Sequence, residues 1–250
     1  MTFICEDKFI TFGLKAEIFF FVENQVEFVV TGDGSDTLYV PELDEHYHSV
    51  HGAIGESKHI FIRAGFHPFR ESDTVILLEV GFGTGLNILL TALAAEECQC
   101  FTRYYALEKV PLPADTIRRI NYPAILGPRA AYLFDSIHGS PWNLPVRISP
   151  MLELVKIRED FVTASLSGIP FCNLVYYDAF SPEKQPEMWD LALFRKLFDR
   201  MEEGGIFVTY CAKGSVRRSL QWAGFSVERL PGPPGKREIL RGRKLLCEKK

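Results

Sequence analysis

A glycine-rich turn between an apolar run and a helical pattern constrains this chain more than any other feature. The stretch ILLEVGFGTGLNILL, residues 76–90, places Gly81, Gly83 and Gly85 directly after the apolar residues of Thr74–Val80. Glycines allow the backbone to turn tightly and to approach a ligand at the carboxyl edge of a parallel sheet. The stretch therefore predicts the nucleotide-binding strand, turn and helix of an open α/β fold.

The spacing of these glycines distinguishes between two classes of cofactor. The pattern is GxGxG, whereas the dinucleotide fingerprint GxGxxG requires a small residue at position 86, where Leu86 stands. The acid before the turn, Glu79, is unfavourable beside a pyrophosphate but suits the amino group of S-adenosylmethionine. We therefore predict S-adenosylmethionine as the cofactor and disfavour an NAD-dependent oxidoreductase.

The rest of the chain divides into two predicted regions. Residues 1–70 form a β-rich segment that we expect to act as a pocket lid, and residues 71–250 form the cofactor domain. In the second region short apolar runs alternate with helical patterns, which is typical of a mostly parallel, doubly wound sheet covered on both faces. Strands are predicted at residues 18–22, 26–31, 37–40, 74–80, 101–107, 171–177, 205–210 and 225–230, and helices at 85–97, 187–201 and 215–223.

Composition excludes several classes of protein. No run approaches the roughly 18 apolar residues of a membrane span, and the N-terminus does not resemble a secretory signal. The six cysteines follow neither disulfide nor zinc spacing, so we predict no metal site and a reducing cytoplasm.

Charge is distributed unevenly along the chain. The net charge is −4, yet Cys211–Lys250 carries eleven Lys or Arg against three Glu. A basic end on an acidic body is the kind of surface that a polyanion such as RNA can use. The alternative, a solvated lysine tail, is favoured for Lys249 and Lys250 alone.

Glu108 and Asp178 follow predicted strands, and Asp160 falls where a third strand would end, so all three acids can reach a ligand at the sheet edge. Glu108 stands at the position of a ribose-binding acid, or pairs with Lys109 on the surface. Asp160 can bind the adenine amino group, or cap a helix that begins at Phe161. Asp178 begins the rigid loop after the fourth strand, where it can orient an amine acceptor and stabilise the positive charge that develops during methyl transfer. Its alternative role is to cap the following turn.

With these residues assembled, the chain resembles the tRNA 5-aminomethyl-uridine methyltransferases, the family that includes the methyltransferase half of the bifunctional wobble-uridine enzyme MnmC. The resemblance is closest to stand-alone members without the fused oxidase, and it extends from about Gly32 onward. It is carried by the segments DEHYHSVHGAIGESKHIFI (44–62), EVGFGTGLN (79–87), LEKVPL (107–112), YYDAFSPEKQPEMW (176–189), YCAKGSVRRSLQWAGF (210–225) and PGPPGKREIL (231–240).

The resemblance implies a class I S-adenosylmethionine-dependent methyltransferase fold with an N-terminal extension. It also implies methylation of the exocyclic amine of a 5-aminomethyl-uridine, with or without a 2-thio group, at the wobble position of the tRNA anticodon stem-loop. The donor site would comprise Glu79, Gly81, Phe82, Gly83, Thr84, Gly85, Asn87, Glu108 and Asp160, with Tyr47, Ser49 and Glu56 closing over it and Asp178 facing the amine. The candidates for RNA contact are Lys184, Trp189, Arg217, Arg218, Lys236 and Arg237.

Some residues depart from the family pattern, and two other functions are alternatives to it. Glu159 precedes Asp160 where many members have glycine, and residues 1–24 match nothing in the family. Without the fused oxidase, the aminomethyl substrate is expected to come from another route, or from another enzyme that works on the carboxymethyl intermediate. The rivals are an aminopropyltransferase of the spermidine synthase type and a non-catalytic RNA-binding module. Trp189 and Phe180 are candidates either for pocket walls or for core aromatics.

Overall fold

The computed structural model describes residues 26–246. The strand predicted at residues 18–22 lies outside this range. None of the helices within it is long and apolar enough to cross a membrane.

The N-terminal part is a small antiparallel sheet followed by a helical segment. The sheet has the order β1-β2-β3 and consists of β1 (Glu27–Val30), β2 (Asp36–Val40) and β3 (Glu45–His46). The turn between β1 and β2 caps the next helix, because Asp33 Oδ2 accepts a hydrogen bond from the Gly55 N–H at 2.8 Å. That helix, α1 (Ala53–Ser57), continues as the π-helix Lys58–Phe66 and the 3₁₀ turn His67–Phe69.

The main sheet contains eight strands in the order β10-β11-β9-β8-β4-β5-β7-β6. Its five central strands, from β9 to β7, are parallel, and the strands at both edges pair antiparallel. The strands are β4 (Thr74–Val80), β5 (Phe101–Leu107), β6 (Pro145–Ser149), β7 (Leu152–Ile157), β8 (Cys172–Tyr177), β9 (Met201–Thr209), β10 (Ser226–Pro231) and β11 (Glu238–Arg243).

Helices cover both faces of this sheet, and apolar side chains form a separate core layer on each face. The helices are α2 (Leu86–Cys98), α3 (Ala114–Arg119), α4 (Tyr122–Leu126), α5 (Pro128–Gly139), α6 (Leu191–Asp199) and α7 (Gly214–Ala223). The predicted fold class, a mostly parallel α/β sheet with a small β-rich N-terminal part, is confirmed.

Strand register brings the candidate site together at one edge. Val80 at the end of β4 pairs with Leu107 of β5 and with Tyr177 of β8. The Asp178 N–H continues this ladder by donating to the Val80 carbonyl at 2.9 Å. The chain runs to β5 and β7 on one side of β4 and to β8 and β9 on the other, so the crevice beside β4 is a topological switch point, where open α/β sheets bind ligands.

Two predicted helical features differ from the structure. The helix predicted at residues 187–201 is divided, because Pro186 starts a 3₁₀ turn and Asp190 caps α6 by accepting from the Ala192 N–H at 2.8 Å. No helix begins at Phe161. Instead, Asp160 Oδ1 accepts from the Val162 N–H at 2.9 Å and caps a turn.

Candidate active site

A cavity of about 360 Å³ lies at the carboxyl edge of the sheet, above the ends of β4, β5 and β8. This volume falls in the usual range for small-molecule sites. The predicted site residues that line it are Tyr47, Ser49, Glu56, Gly81, Phe82, Gly83, Thr84, Asn87, Glu108, Asp160, Asp178 and Lys236. Its charged lining comprises six acids and two lysines, namely Glu45, Glu56, Glu108, Glu159, Asp160, Asp178, Lys109 and Lys236.

Gly81 allows the two halves of the site to touch. Its φ is +93°, and a Cβ atom at this position would lie 2.5 Å from the carbonyl oxygen of Asp178. Only glycine accommodates both the backbone angle and this approach. The loop of Asp178 therefore packs directly against the glycine turn.

The N-terminal segment covers the glycine turn from the other side. The Tyr47 ring lies so close to Gly83 that a Cβ there would meet ring carbons at 3.1 Å. His48 Nε2 is 2.8 Å from the hydroxyl of Thr84, and burial lowers the pKa of His48 to about 4. A neutral imidazole thus joins the N-terminal segment to the glycine turn. This contact depends on the tertiary fold, so the sequence alone does not reveal it.

Glu108 is held in place by the backbone at the end of β5. Its Oε2 accepts from the Gly83 N–H at 3.0 Å, and its Oε1 accepts from the Val110 N–H at 2.9 Å. Burial raises its pKa, and these hydrogen bonds oppose the increase. Each oxygen retains a lone pair for a ribose hydroxyl.

Asp160 lines the same cavity but is already engaged by protein groups. Lys109, the predicted surface partner of Glu108, pairs with Asp160 Oδ2 instead, at 2.9 Å. Burial raises the pKa of Asp160, but the hydrogen bonds from Lys109 and Val162 outweigh it and leave the pKa lowered. Asp160 therefore both caps a turn and lines the cavity.

Asp178 is anchored through one oxygen. Its Oδ2 accepts from Asn87 Nδ2 at 2.8 Å. The same nitrogen donates to Glu79 Oε1 at 3.0 Å, and the Ser57 hydroxyl donates to Asn87 Oδ1. Glu79 is fully buried behind Asn87 and does not line the cavity, so the structure does not bring it to the position expected for a contact with the donor's amino group.

The protonation of Asp178 is set by burial and by two charged groups across the cavity. Burial raises the pKa of Asp178 to about 7, and the hydrogen bond from Asn87 opposes this increase. The negative charge of Glu56 raises the pKa further, whereas the positive charge of Lys236 lowers it. Glu56 and Lys236 face each other at 3.3 Å, and the Lys236 ammonium lies 4.7 Å above the Tyr210 ring. A carboxyl group that titrates near neutrality is suited to proton transfer.

The two candidate wall aromatics have different positions. Phe180 lines the cavity and meets Tyr47 edge to face at 5.1 Å. Trp189 does not line it: the indole is buried among Tyr177, Phe194 and Tyr210, and its Nε1 donates to the Phe180 carbonyl at 2.8 Å. Trp189 is therefore a core aromatic that supports the wall.

The remaining predicted residues lie outside the cavity lining. Gly85, with φ of +72°, turns the chain into α2 beside His138. Lys184 pairs with Asp44 at 3.5 Å. Arg217 is partly buried, whereas Arg218 and Arg237 are exposed.

The cavity fits S-adenosylmethionine by several observations. The glycine turn leaves bare backbone at its wall, Glu108 offers a ribose-type carboxylate, and Asp160 and Phe161 line the side next to Glu108. The described residues 26–246 contain no group of three His, Cys, Asp or Glu side chains that could hold a metal ion.

Comparisons with known proteins agree with this geometry. A family model described as S-adenosyl-L-methionine-dependent methyltransferase matches residues 154–245. The tRNA 5-methylaminomethyl-2-thiouridine biosynthesis bifunctional protein MnmC of Burkholderia thailandensis is 30% identical over 221 residues, which are 82% of this chain and 33% of that protein. The MnmC of Paraburkholderia xenovorans is 30% identical over 222 residues, 83% of this chain and 33% of that protein. This chain is an S-adenosylmethionine-dependent methyltransferase related to MnmC.

A solved structure from the same family also has a similar fold. MnmC2 from Aquifex aeolicus superposes with a TM-score of 0.70 and 26% identity over 91% of this chain and 73% of that one. Spermidine synthase from Thermotoga maritima, with a TM-score of 0.50 and 12% identity over 84% of this chain and 68% of that one, shares the fold alone. This chain spans about a third of the length of the MnmC proteins that it matches.

Proposed function

We propose that this protein transfers a methyl group from S-adenosylmethionine to the exocyclic amine of 5-aminomethyl-uridine, with or without a 2-thio group, at the wobble position of tRNA. The product is the methylaminomethyl derivative. The observation that carries the proposal is the direct contact between the Asp178 loop and Gly81 at one wall of the cavity. This contact is made by the Asp178 backbone, and Asp178 also lines the cavity, which supports a role for its carboxylate in holding an amine acceptor beside the donor turn.

The chemistry of Asp178 suits an amine acceptor. When bound, the donor supplies an electrophilic methyl group on a sulfonium. The Asp178 carboxylate accepts a hydrogen bond from an N–H group of the neutral amine, which directs the nitrogen lone pair away from Asp178. It also stabilises the positive charge that grows on nitrogen. Its pKa of about 7 also allows it to take up the proton that the product amine loses.

The acidic lining of the cavity supports a cationic or amine-bearing substrate, because six carboxyl groups face two lysines. A polyamine substrate would benefit from the same lining, which is the specific observation in favour of the aminopropyltransferase alternative. Against that alternative, Lys236 enters the cavity beside Tyr210 and would repel a polycation. The MnmC relatives favour a nucleoside amine, which a flexible anticodon loop can present by splaying out a base.

The test uses purified protein, methyl-labelled S-adenosylmethionine and tRNA from cells that lack the modification, followed by nucleoside mass spectrometry. The expected label is on the side-chain nitrogen of the wobble uridine. Asp178→Ala should abolish transfer and leave donor binding intact. Label on a ring carbon, or aminopropyl transfer from decarboxylated donor to putrescine, would overturn the proposal.

A further inference from the structure

One amide connects Asp178, a half-buried carboxyl group that lines the cavity, with Glu79, a fully buried one behind it. Asn87 Nδ2 donates to Asp178 Oδ2 at 2.8 Å and to Glu79 Oε1 at 3.0 Å, using both of its hydrogens. Its Oδ1 accepts the hydroxyl hydrogen of Ser57. A reversed amide would turn an oxygen towards two carboxyl oxygens and an N–H group towards a hydroxyl, so this orientation is the one that satisfies all three partners.

Asn87 and the residues Ser57 and Glu79 that contact it are buried and lie in helices or in a central strand. Asn87 lies in the first turn of α2, and its carbonyl accepts from the Thr91 hydroxyl at 2.7 Å. Ser57 ends α1 and is 1% exposed. Glu79 belongs to the central strand β4 and is 0% exposed. The orientation of the amide is thus determined by three separate elements.

Glu79 has the surroundings of a neutral carboxyl group. Burial raises its pKa well above the ordinary range, and the Asn87 hydrogen bond only partly opposes this. The titratable groups that act on it are Asp178, Tyr104, Glu108 and Tyr176, and none of these carries a positive charge. Its Oε2 has no partner in ordinary hydrogen-bond geometry among the described residues, although the Tyr104 hydroxyl, which also lacks one, lies close enough to lower the pKa of Glu79. An ionised carboxylate there would be poorly compensated, whereas a protonated one is tolerated.

We propose that Glu79 and Ser57 are positioning residues that hold the Asn87 amide so that it fixes one oxygen of Asp178 and leaves the other for the substrate amine. This inference rests on the proposed role of Asp178. It assigns Glu79 to the support of the acceptor site rather than to the amino group of the donor. A proton on Glu79 also removes a negative charge that would otherwise oppose ionisation of Asp178.

The first test compares Glu79→Gln with Glu79→Leu. Glutamine keeps a neutral acceptor for the Asn87 N–H, and leucine removes it. We expect kcat of the Gln variant to exceed that of the Leu variant at least tenfold, with donor affinity by calorimetry within threefold of wild type in both. Glu108→Gln is the matched control, because it neutralises the neighbouring carboxylate at the donor wall and should weaken donor binding. A loss of donor affinity in Glu79→Gln as large as in Glu108→Gln would overturn the inference.

The second test measures Asp178 without substrate. Asn87→Leu and Ser57→Ala are compared with wild type by titrating the carboxyl ¹³C resonance of Asp178. Loss of the amide hydrogen bond should raise the pKa of Asp178, more in Asn87→Leu than in Ser57→Ala, and lower kcat in the same order. Ser57→Thr, which keeps the hydroxyl, should recover part of the loss. An unchanged Asp178 titration in Asn87→Leu would refute the arrangement.

These readouts separate the two proposals. If wild-type protein methylates no uridine side chain, the proposed function fails, whereas the donor affinities and the Asp178 titration still decide the role of Asn87 and Glu79. If methylation occurs but neither readout moves as stated, the positioning inference alone fails.

Discussion

Asp178 combines burial, one fixed hydrogen bond and two charged neighbours of opposite sign. Asn87 holds one of its oxygens, while Glu56 and Lys236 adjust its charge from across the cavity. The position of Asp178 was predictable from sequence because a polar residue after a parallel strand must lie at the sheet edge. The roles of Asn87 and Ser57 were not, since they depend on the packing of α1 against α2.

The pH dependence of methyl transfer should follow the charges around Asp178. Because an ionised Asp178 is required, kcat should rise with pH through a value near 7. Lys236→Met removes a charge that lowers the pKa of Asp178, so the rise should move to higher pH. Glu56→Gln removes a charge that raises it, so the rise should move to lower pH. Pre-steady-state pH profiles check this, and shifts of the same sign in both variants would contradict it.

Asp178 should also reduce stability as the pH rises. Its folded-state pKa of about 7 exceeds the ordinary aspartate pKa of 3.8, so the folded protein binds the proton more tightly than the unfolded chain. That contribution is complete below about pH 4 and is lost as the pH rises through 7. The Tm of Asp178→Asn relative to wild type should therefore increase from pH 5 to pH 8 in thermal unfolding. A constant difference would show that the carboxyl group titrates normally.

At the scale of elements, the continuous apolar strands β4, β5 and β8 were predictable, whereas the bounds of β7 and the locally interrupted segments were not. The predicted bounds of β4 and β5 are identical to the observed ones because both strands are buried in a parallel sheet. The helix predicted at 187–201 is divided because Asp190 offers a better local cap than continued helix. Strand β11 was missed because its sequence EILRGR contains a glycine and two arginines, one of which, Arg241, pairs with Glu228 across the hairpin.

The glycine turn gives a prediction with an internal control. Gly81 and Gly127 have φ of +93° and +92°, but a Cβ atom would strike the Asp178 carbonyl at Gly81 and meet nothing within 4 Å at Gly127. Gly127→Ala should cost about 1–3 kcal/mol of unfolding free energy, because its backbone angles, φ +92° and ψ −178°, lie in a region that is essentially restricted to glycine. Gly81→Ala should cost more and should lower kcat at least tenfold by displacing Asp178. Denaturant unfolding and transfer rates measure both effects, and equal behaviour of the two variants would argue against the close contact.

At the scale of the molecule, the basic C-terminal region is less uniform than its composition indicated. Arg229 and Arg241 pair with Glu238 and Glu228 inside the β10–β11 hairpin, at 3.2 Å and 2.7 Å. Within residues 26–246, the exposed Arg218 and Arg237 have no ion pair. Composition could predict the excess of positive charge. Which of the arginines form ion pairs depends on the folded structure.

RNA affinity should therefore depend on Arg218 and Arg237. Each Arg→Ala change should weaken tRNA binding severalfold and reduce the slope of log affinity against log salt by about one. Arg147→Ala, in the edge strand β6 at the opposite end of the sheet, removes the same charge and should change neither quantity. Filter binding at several salt concentrations provides the measurement, and equal losses in all three variants would indicate a non-specific effect of net charge.

The central claim is that the carboxylate of Asp178 acts on the acceptor amine beside the donor turn. Single-turnover methyl transfer to tRNA bearing the 5-aminomethyl-uridine tests it most directly, when wild type and Asp178→Asn are compared with their donor dissociation constants measured in the same preparations. We expect the methyl-transfer rate of Asp178→Asn to be at least 100-fold lower than that of wild type, with donor affinity within threefold of wild type. A variant that transfers the methyl group at the wild-type rate would contradict it.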